Sequence, residues 1–178
     1  AVVITGSNGK TSTKDMIRAV LGSRFAVTAT KGNLNNHIGL PLTVLSTESE
    51  DDYGIWEIGM NHPGEIAPLA DIAAPDMGVI TNIGTAHIGN MGSREGIAQE
   101  KGMLAEAMTE KGVLVLNAND DFTSSIRGRT SARVVEAGIE AGQVQAANLE
   151  VLGIGAGFTL TIGSDSAAVR LPIPGRHM

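Results

Sequence analysis

The chain has 178 residues, room for one large domain or one domain with a small appendage, and 42% of them are hydrophobic, enough for a real core. A net charge of −6 without a basic run argues against nucleic acid or an anionic membrane as principal partner, and the lack of cysteine excludes a disulfide framework. No apolar run approaches the ~20 residues of a membrane-spanning helix. The chain opens at Ala1 inside a strand pattern, without initiator Met or targeting segment, and so reads as a piece of something longer.

Val2 to Thr5 is an apolar run without alternation, the pattern of a buried strand. It leads into Thr5-Gly6-Ser7-Asn8-Gly9-Lys10-Thr11-Ser12, a glycine-bounded loop that delivers Lys-Thr-Ser into a helix. Gly6 and Gly9 let the backbone turn tightly, so that successive N–H groups can point at an anion. Lys10 brings a compact positive charge for outer phosphates, the Thr11 hydroxyl can ligate the Mg²⁺ they carry, and the helix start adds its dipole. The usual signature has four residues between its glycines, whereas here Ile4 stands where the first glycine would fall. An ordinary strand-to-helix turn is the alternative. The agreement of strand, glycines, Lys-Thr pair and helix favours a nucleotide phosphate loop formed by Gly6, Ser7, Asn8, Gly9, Lys10, Thr11 and Ser12.

Beyond the loop, Thr13, Met16, Ile17, Val20 and Leu21 recur at helical spacing, with Gly22 as the stop. Phe25 to Thr30 reads as a strand, and a polar loop from Lys31 to Pro41 enters a helix ending at Leu45. A strand follows from Tyr53 to Ile58, a short helix from Pro63 to Ala70, and a buried strand from Met77 to Ile83. Gly84 to Gly92 is a glycine-rich loop carrying His87, after which Ser93 caps a helix predicted to run to Met108. Val113 to Asn117 and Ala132 to Val135 are strands flanking a short helix from Asp120 to Ile126. Ala147 to Leu152, Phe158 to Ile162 and Ala167 to Leu171 are strands joined by Gly and Ser-Asp turns with no helix between them. The predicted fold class is therefore α/β: a P-loop-type, mostly parallel sheet covered by helices on both faces, with a small C-terminal antiparallel β meander. Its expected parts are an α/β body over 1–138 and an appendage over 145–173.

In such sheets chemistry gathers beyond the carboxyl ends of the strands. Glu57 closes an apolar strand where a nucleotide enzyme needs a carboxylate for its metal, the alternative being a solvated edge carboxylate. Lys101 falls among Ile97, Leu104, Ala105 and Met108 on the apolar stripe of its helix. It is either a buried amine with a depressed pKa or a snorkelling side chain. His87 is either a structural histidine or a metal ligand. Asn35 and Asn36 fit helix caps, and Asn117 to Asp121 fits a loop with an N-cap or a nucleotide contact.

Taken together, these segments resemble the Mur ligases, whose phosphate loop has the same short Gly-x-x-Gly-Lys-Thr spacing. The resemblance extends to the stretches from Gly32 to Thr43 and from Glu57 to Ile66. It continues through His87, Gly92-Ser93 and Lys101-Gly102 to the terminal Leu171-Pro172-Ile173-Pro174-Gly175-Arg176-His177. It is strongest to the branch that joins D-alanyl-D-alanine to UDP-N-acetylmuramoyl-tripeptide. The resemblance implies ATP as cosubstrate and two Mg²⁺ ions. One would be held by Thr11 and Glu57, the other by Glu57, His87 and a carbamylated Lys101. It further implies Lys10, His87 and Lys101 as catalytic, His177 at the nucleotide, and Asn35 and Asn36 facing the muramoyl peptide. The implied setting is a monomeric, cytoplasmic bacterial enzyme in peptidoglycan biosynthesis. The family's UDP-sugar domain and C-terminal domain are not in the chain, so the fragment by itself is expected to be inactive. A folylpolyglutamate-synthase-like ligase shares the loop and the acyl-phosphate chemistry. A non-catalytic nucleotide switch is the other alternative, although no Asn-Lys-x-Asp guanine motif is present.

Overall fold

The computed structural model describes residues 1–153 and 155–172. His177, expected at the nucleotide, lies outside them. The described strands are β1 (Val2–Thr5), β2 (Val27–Ala29), β3 (Tyr53–Glu57), β4 (Met77–Ile80), β5 (Val113–Asn117), β6 (Arg133–Ile139), β7 (Val144–Val151), β8 (Ala156–Ile162) and β9 (Asp165–Leu171). They form one sheet in the order β2-β3-β1-β4-β5-β6-β7-β8-β9, parallel as far as β7 and antiparallel thereafter. The helices are α1 (Lys10–Leu21), α2 (Gly39–Leu45), α3 (Ile66–Ala73), α4 (Ile88–Met91), α5 (Arg94–Lys101), α6 (Met103–Glu106) and α7 (Thr123–Arg127).

β1, apolar up to Thr5, is an interior strand between β3 and β4, and every one of its residues is buried. From it the chain first builds β2 and β3 on one side, then crosses to β4 and continues outward on the other. That reversal opens a crevice beyond the carboxyl end of β1, and the phosphate loop fills its floor. The two faces of the sheet are covered unequally. One carries the larger core, in which Val3, Trp56, Ile80 and Leu114 meet Leu40, Ile66, Ile97 and Leu104 from the helices. The other face holds a smaller cluster of Val2, Ile4, Ala29 and Ile55 under Ile17 and Leu21 of α1.

Several elements depart from the sequence expectation for identifiable reasons. In α1, Val20 is 72% exposed and Lys14 is buried in its stead, so the inward stripe is Lys14, Ile17 and Leu21. The helix predicted from Pro63 begins only at Ile66, since Gly64 has a φ of 84° that belongs to a turn. Ser93 does cap α5, its hydroxyl accepting from Gly96 N at 3.1 Å, but the helix predicted to reach Met108 breaks at Gly102 into α5 and α6.

The antiparallel meander is present and continues the main sheet, because β7 pairs in parallel with β6 (Ala137 with Val144, Ile139 with Ala146). A parallel pair usually needs a crossover of a dozen or more residues. Here residues 140–143 suffice, since Glu140 and Gly142 take left-handed φ values of 53° and 84°. Glu140 N and Gln143 N then donate to Ala146 O and Glu136 O, closing the loop.

Candidate nucleotide site

The phosphate loop is held open by the residues that follow β4. Gly6 has a φ of 149°, and a Cβ there would lie 1.9 Å from Thr81 Oγ1, so only glycine fits. Ser7 N donates to Asn82 O and Asn8 N to Asn82 Oδ1, while Thr81 Oγ1 and Asn82 Nδ2 donate back to Asn8 O. Gly9, at a φ of 77°, turns the chain into α1. This frame leaves a cavity of about 390 Å³ lined by Ser7, Asn8, Gly9, Lys10, Thr11, Ser12, Asn35 and Glu57, together with Gly32 and Asn33. Lys10 Nζ rests on Gly6 O at 2.9 Å. Burial lowers its pKa, and the nearby Glu57 carboxylate opposes that shift.

Glu57 is the anchor of the second wall. It is 2% exposed, so the edge-carboxylate alternative is excluded. Its Oε2 accepts from Thr11 Oγ1 and its Oε1 from Asn35 Nδ2, both at 2.8 Å. Its backbone N–H is fixed by Thr30 Oγ1, and Thr30 O in turn accepts from the buried Lys14 Nζ at 2.9 Å. The donor set at this corner is a hydroxyl and a carboxylate facing a phosphate cavity, hard oxygen chemistry that suits Mg²⁺. Asn35, expected to face substrate, has its amide committed to Glu57. Asn36 Oδ1 accepts from Ile38 N and Gly39 N, so it caps the entry to α2. Asn36 also borders a smaller cavity of about 200 Å³ with His37, Asn61 and Glu65.

Lys101 is 1% exposed, so its side chain lies inside the fold and not along its surface. Burial and, secondarily, the charge of Lys10 push its pKa down to about 7, with Glu100 pulling the other way. A large fraction of this amine is therefore neutral near neutrality. His87 stands exposed at the start of α4 with a φ of 64°, outside the lining of the phosphate cavity. Among the described residues no group of three or more His, Asp or Glu side chains forms a ready metal cluster.

Sequence reading missed the residues that brace these groups. The carboxylate of Asp120 accepts from Ile83 N, while Arg94 donates to Ile83 O and pairs with Asp121. The backbone of Ile83, in the loop leading to His87, is therefore held at both its N–H and its carbonyl. Asn117 Nδ2 ties β5 to Thr81 O, and Asn119 holds both N and O of Ile139, so these asparagines act as staples. Beside the loop a larger groove of about 820 Å³ runs over Val115, Asn117, Asn119, Gly138 and Ile139, flanked by Thr13 and Met16. Lys14 could have been found by the signal that singled out Lys101, a cation at an inward helical position. The brace around Ile83 has no sequence signal, because its members are far apart in the chain.

A mostly parallel sheet with this loop at the carboxyl end of an interior strand, and a carboxylate beside the loop's threonine, defines a phosphate-loop nucleotide-binding domain. Residues 4–178 match the family model of the Mur ligase middle domain, and the chain belongs to that family. The UDP-N-acetylmuramoyl-tripeptide--D-alanyl-D-alanine ligase of Mycobacterium tuberculosis (strain H37Rv) is 44% identical over 176 residues, 98% of this chain and 34% of that protein. The crystal structure of MurF from Acinetobacter baumannii superposes with a TM-score of 0.95 at 38% identity, covering 99% of this chain and 39% of that one. MurF from Thermotoga maritima in complex with ADP gives a TM-score of 0.86 at 28% identity, covering 95% and 39%. The chain thus spans about a third of the length of the curated relatives it matches. An FPGS mutant from L. casei, at 14% identity and a TM-score of 0.74 over 99% of this chain and 54% of that one, shares the fold alone.

Proposed function

We propose that this chain is the ATP-binding segment of a ligase that joins D-alanyl-D-alanine to UDP-N-acetylmuramoyl-tripeptide. The observation behind this reading is the Thr11–Glu57 pair opening, with Lys10, into one cavity of about 390 Å³. In the reaction a tripeptide carboxylate oxygen attacks the γ-phosphorus of ATP, a C–O–P linkage forms, and the bond to ADP breaks. The amine of D-alanyl-D-alanine then attacks the acyl carbon, the C–N bond forms, the amine loses a proton, and phosphate leaves. The chain's part is positioning and charge. Loop N–H groups and Lys10 neutralise the transferring phosphoryl group, and the groove over Asn117 and Ile139 accepts the nucleoside. Thr11 and Glu57 would hold a first Mg²⁺, which supplies charge neutralisation at the phosphates when bound.

A second Mg²⁺ calls for a further anionic oxygen, which Lys101 gains by carbamylation. Its neutral amine and CO₂ form Lys–NH–COO⁻ and release a proton. That buried amine, depressed to about 7, is the state such a reaction requires. Asn35 orients Glu57, and the cavity beside Asn36 receives the muramoyl peptide. The folylpolyglutamate reading is set aside because that relative shares the fold alone.

Calorimetry with Mg-ATP tests the binding step: the chain binds the nucleotide, and Lys10→Ala abolishes the heat while circular dichroism is unchanged. With both substrates added, the chain alone is expected to form no ligated product, and sustained ligation by it would overturn the division of labour proposed here. In the ligase that contains the chain, Lys101→Ala should lose most turnover, and acetate should restore part of it by offering the same oxygens. Full activity of Lys101→Ala at low and high bicarbonate alike would exclude the carbamate.

A further inference from the structure

Lys101 is the last residue of α5, so its placement depends on how that helix ends. The last carbonyls of a helix lack N–H partners, and a cation near them is favoured by the helix dipole. Here Arg129, from the turn after α7, supplies both. Its Nη1 donates to Gln99 O at 2.9 Å and to Ala98 O at 3.3 Å. Its Nε and Nη2 pair with Glu106 of α6 at 2.9 and 2.8 Å, and Nη2 also meets Met103 Sδ at 3.3 Å.

The guanidinium occupies the break itself, since a Cβ on Gly102 would lie 1.9 Å from Arg129 Nη1. On the other side of Lys101, the Glu100 carboxylate accepts from Gly64 N and Ile66 N, both at 2.8 Å, and ties α5 to the entrance of α3. The three residues that precede Lys101 are therefore held by Arg129 on one side and by the entrance of α3 on the other, while the lysine side chain itself is buried.

We propose that Arg129 is a positioning residue for Lys101. By filling the break at Gly102 it ends α5 at the lysine and fixes the direction in which the amine points. Without the fork, Gln99 O loses its partner and the end of α5 frays, so the buried amine loses its set position. The proposal rests on the reading of Lys101 as the carbamate-bearing residue. A carbamate adds two oxygens to the end of a long side chain, and their placement is only as fixed as the helix end that bears them.

Arg129→Met and Arg129→Lys, made in the chain and in the ligase that contains it, test this with ¹³C-bicarbonate. In the unsubstituted protein a carbamate resonance should appear that Lys101→Ala removes. Arg129→Met should weaken that resonance at least fivefold and turnover at least tenfold. Mg-ADP affinity should stay within twofold and thermal unfolding should remain cooperative. Arg129→Lys keeps the charge but not the fork, and should fall between the two. An unchanged resonance and turnover in Arg129→Met overturn the proposal, as does an equal loss of Mg-ADP affinity, which would mean general damage. Should Arg129→Met not fold, a fully intact resonance in Arg129→Lys overturns it instead. If the unsubstituted protein shows no bicarbonate-dependent resonance, the carbamate reading fails. Arg129 is then judged by turnover against Mg-ADP affinity, and a turnover loss without an affinity loss supports it.

Discussion

The sheet from β2 to β6 and the strands from β7 to β9 share one hydrogen-bonded ladder but differ in what covers them. In the first region Val3, Ile4, Ile55 and Leu114 are fully buried between helices and neighbouring strands. In the second, among the described residues, none joins the buried hydrophobic core, and Leu149, Val151 and Ile162 are 38%, 67% and 55% exposed. A ladder gives shape, whereas burial gives stiffness, because close-packed interiors resist displacement. The residues that need fixed positions, Lys10, Thr11, Glu57 and Lys101, all lie in the stiff region. The outer strands contribute side chains such as Phe158 and Leu160 to the wall of a groove.

The widest gap between the regions should appear on truncating one leucine in each. Leu104→Ala, at a site with no exposure, should cost about 2–5 kcal/mol in denaturant unfolding. Leu160→Ala in β8 should cost about 1 kcal/mol, in line with its partial burial. Equal costs would break the distinction. Lys10→Ala should next show that the stiff region's chemistry is separable from its stability. It removes charge-assisted contacts worth about 1.5–3 kcal/mol each, so Mg-ATP binding weakens by at least roughly 10- to 150-fold. Its unfolding midpoint should barely move.

A third measurement concerns the buried amine of Lys101, in metal-free and bicarbonate-free buffer. The unfolded lysine keeps its proton up to its ordinary value of 10.5, while the folded one releases it near 7. Between those values unfolding takes up a proton, so folded stability rises with pH across that window, by at most about 1.4 kcal/mol per pH unit. Below about 7 the cost of the buried charge is fully present. Lys101→Met should therefore stabilise the chain most at low pH and remove this rise, as read from unfolding curves at several pH values. The smallest effect is expected on the outer strands, where Val151→Ser should change stability by no more than about 0.5 kcal/mol. A larger loss would show that something covers this surface.

The alternation of strands and helices, the phosphate loop and the anomaly at Lys101 were all legible in the sequence. Each rests on local periodicity or on the special backbone freedom of Gly6 and Gly9. Glu57 was legible as a strand-end carboxylate, but not its partners, since Thr11, Asn35 and Thr30 meet it only through the sheet. The two asparagines illustrate the boundary. Asn36 behaves as the helix cap its local sequence allows, whereas Asn35 is turned to Glu57 by the pairing of its backbone O with Gly59 N.

Lys14 was overlooked because a helical stripe fixes which residues share a face but not which stripe faces inward. The position of α1 over β1 and β3 selected Lys14, Ile17 and Leu21 and left Val20 in solvent. The break at Gly102 was equally hidden. Its sequence continues a helical pattern, and what ends the helix is a guanidinium that arrives from Arg129. Sequence by itself thus determined the order of strands and helices, the loop and the chemical types of the groups proposed for the site, because those depend on neighbours in the chain. The tertiary structure alone decided which face was buried, where helices stopped and which polar groups hold the reacting ones in place. Those outcomes depend on contacts between residues that only the folded sheet brings together.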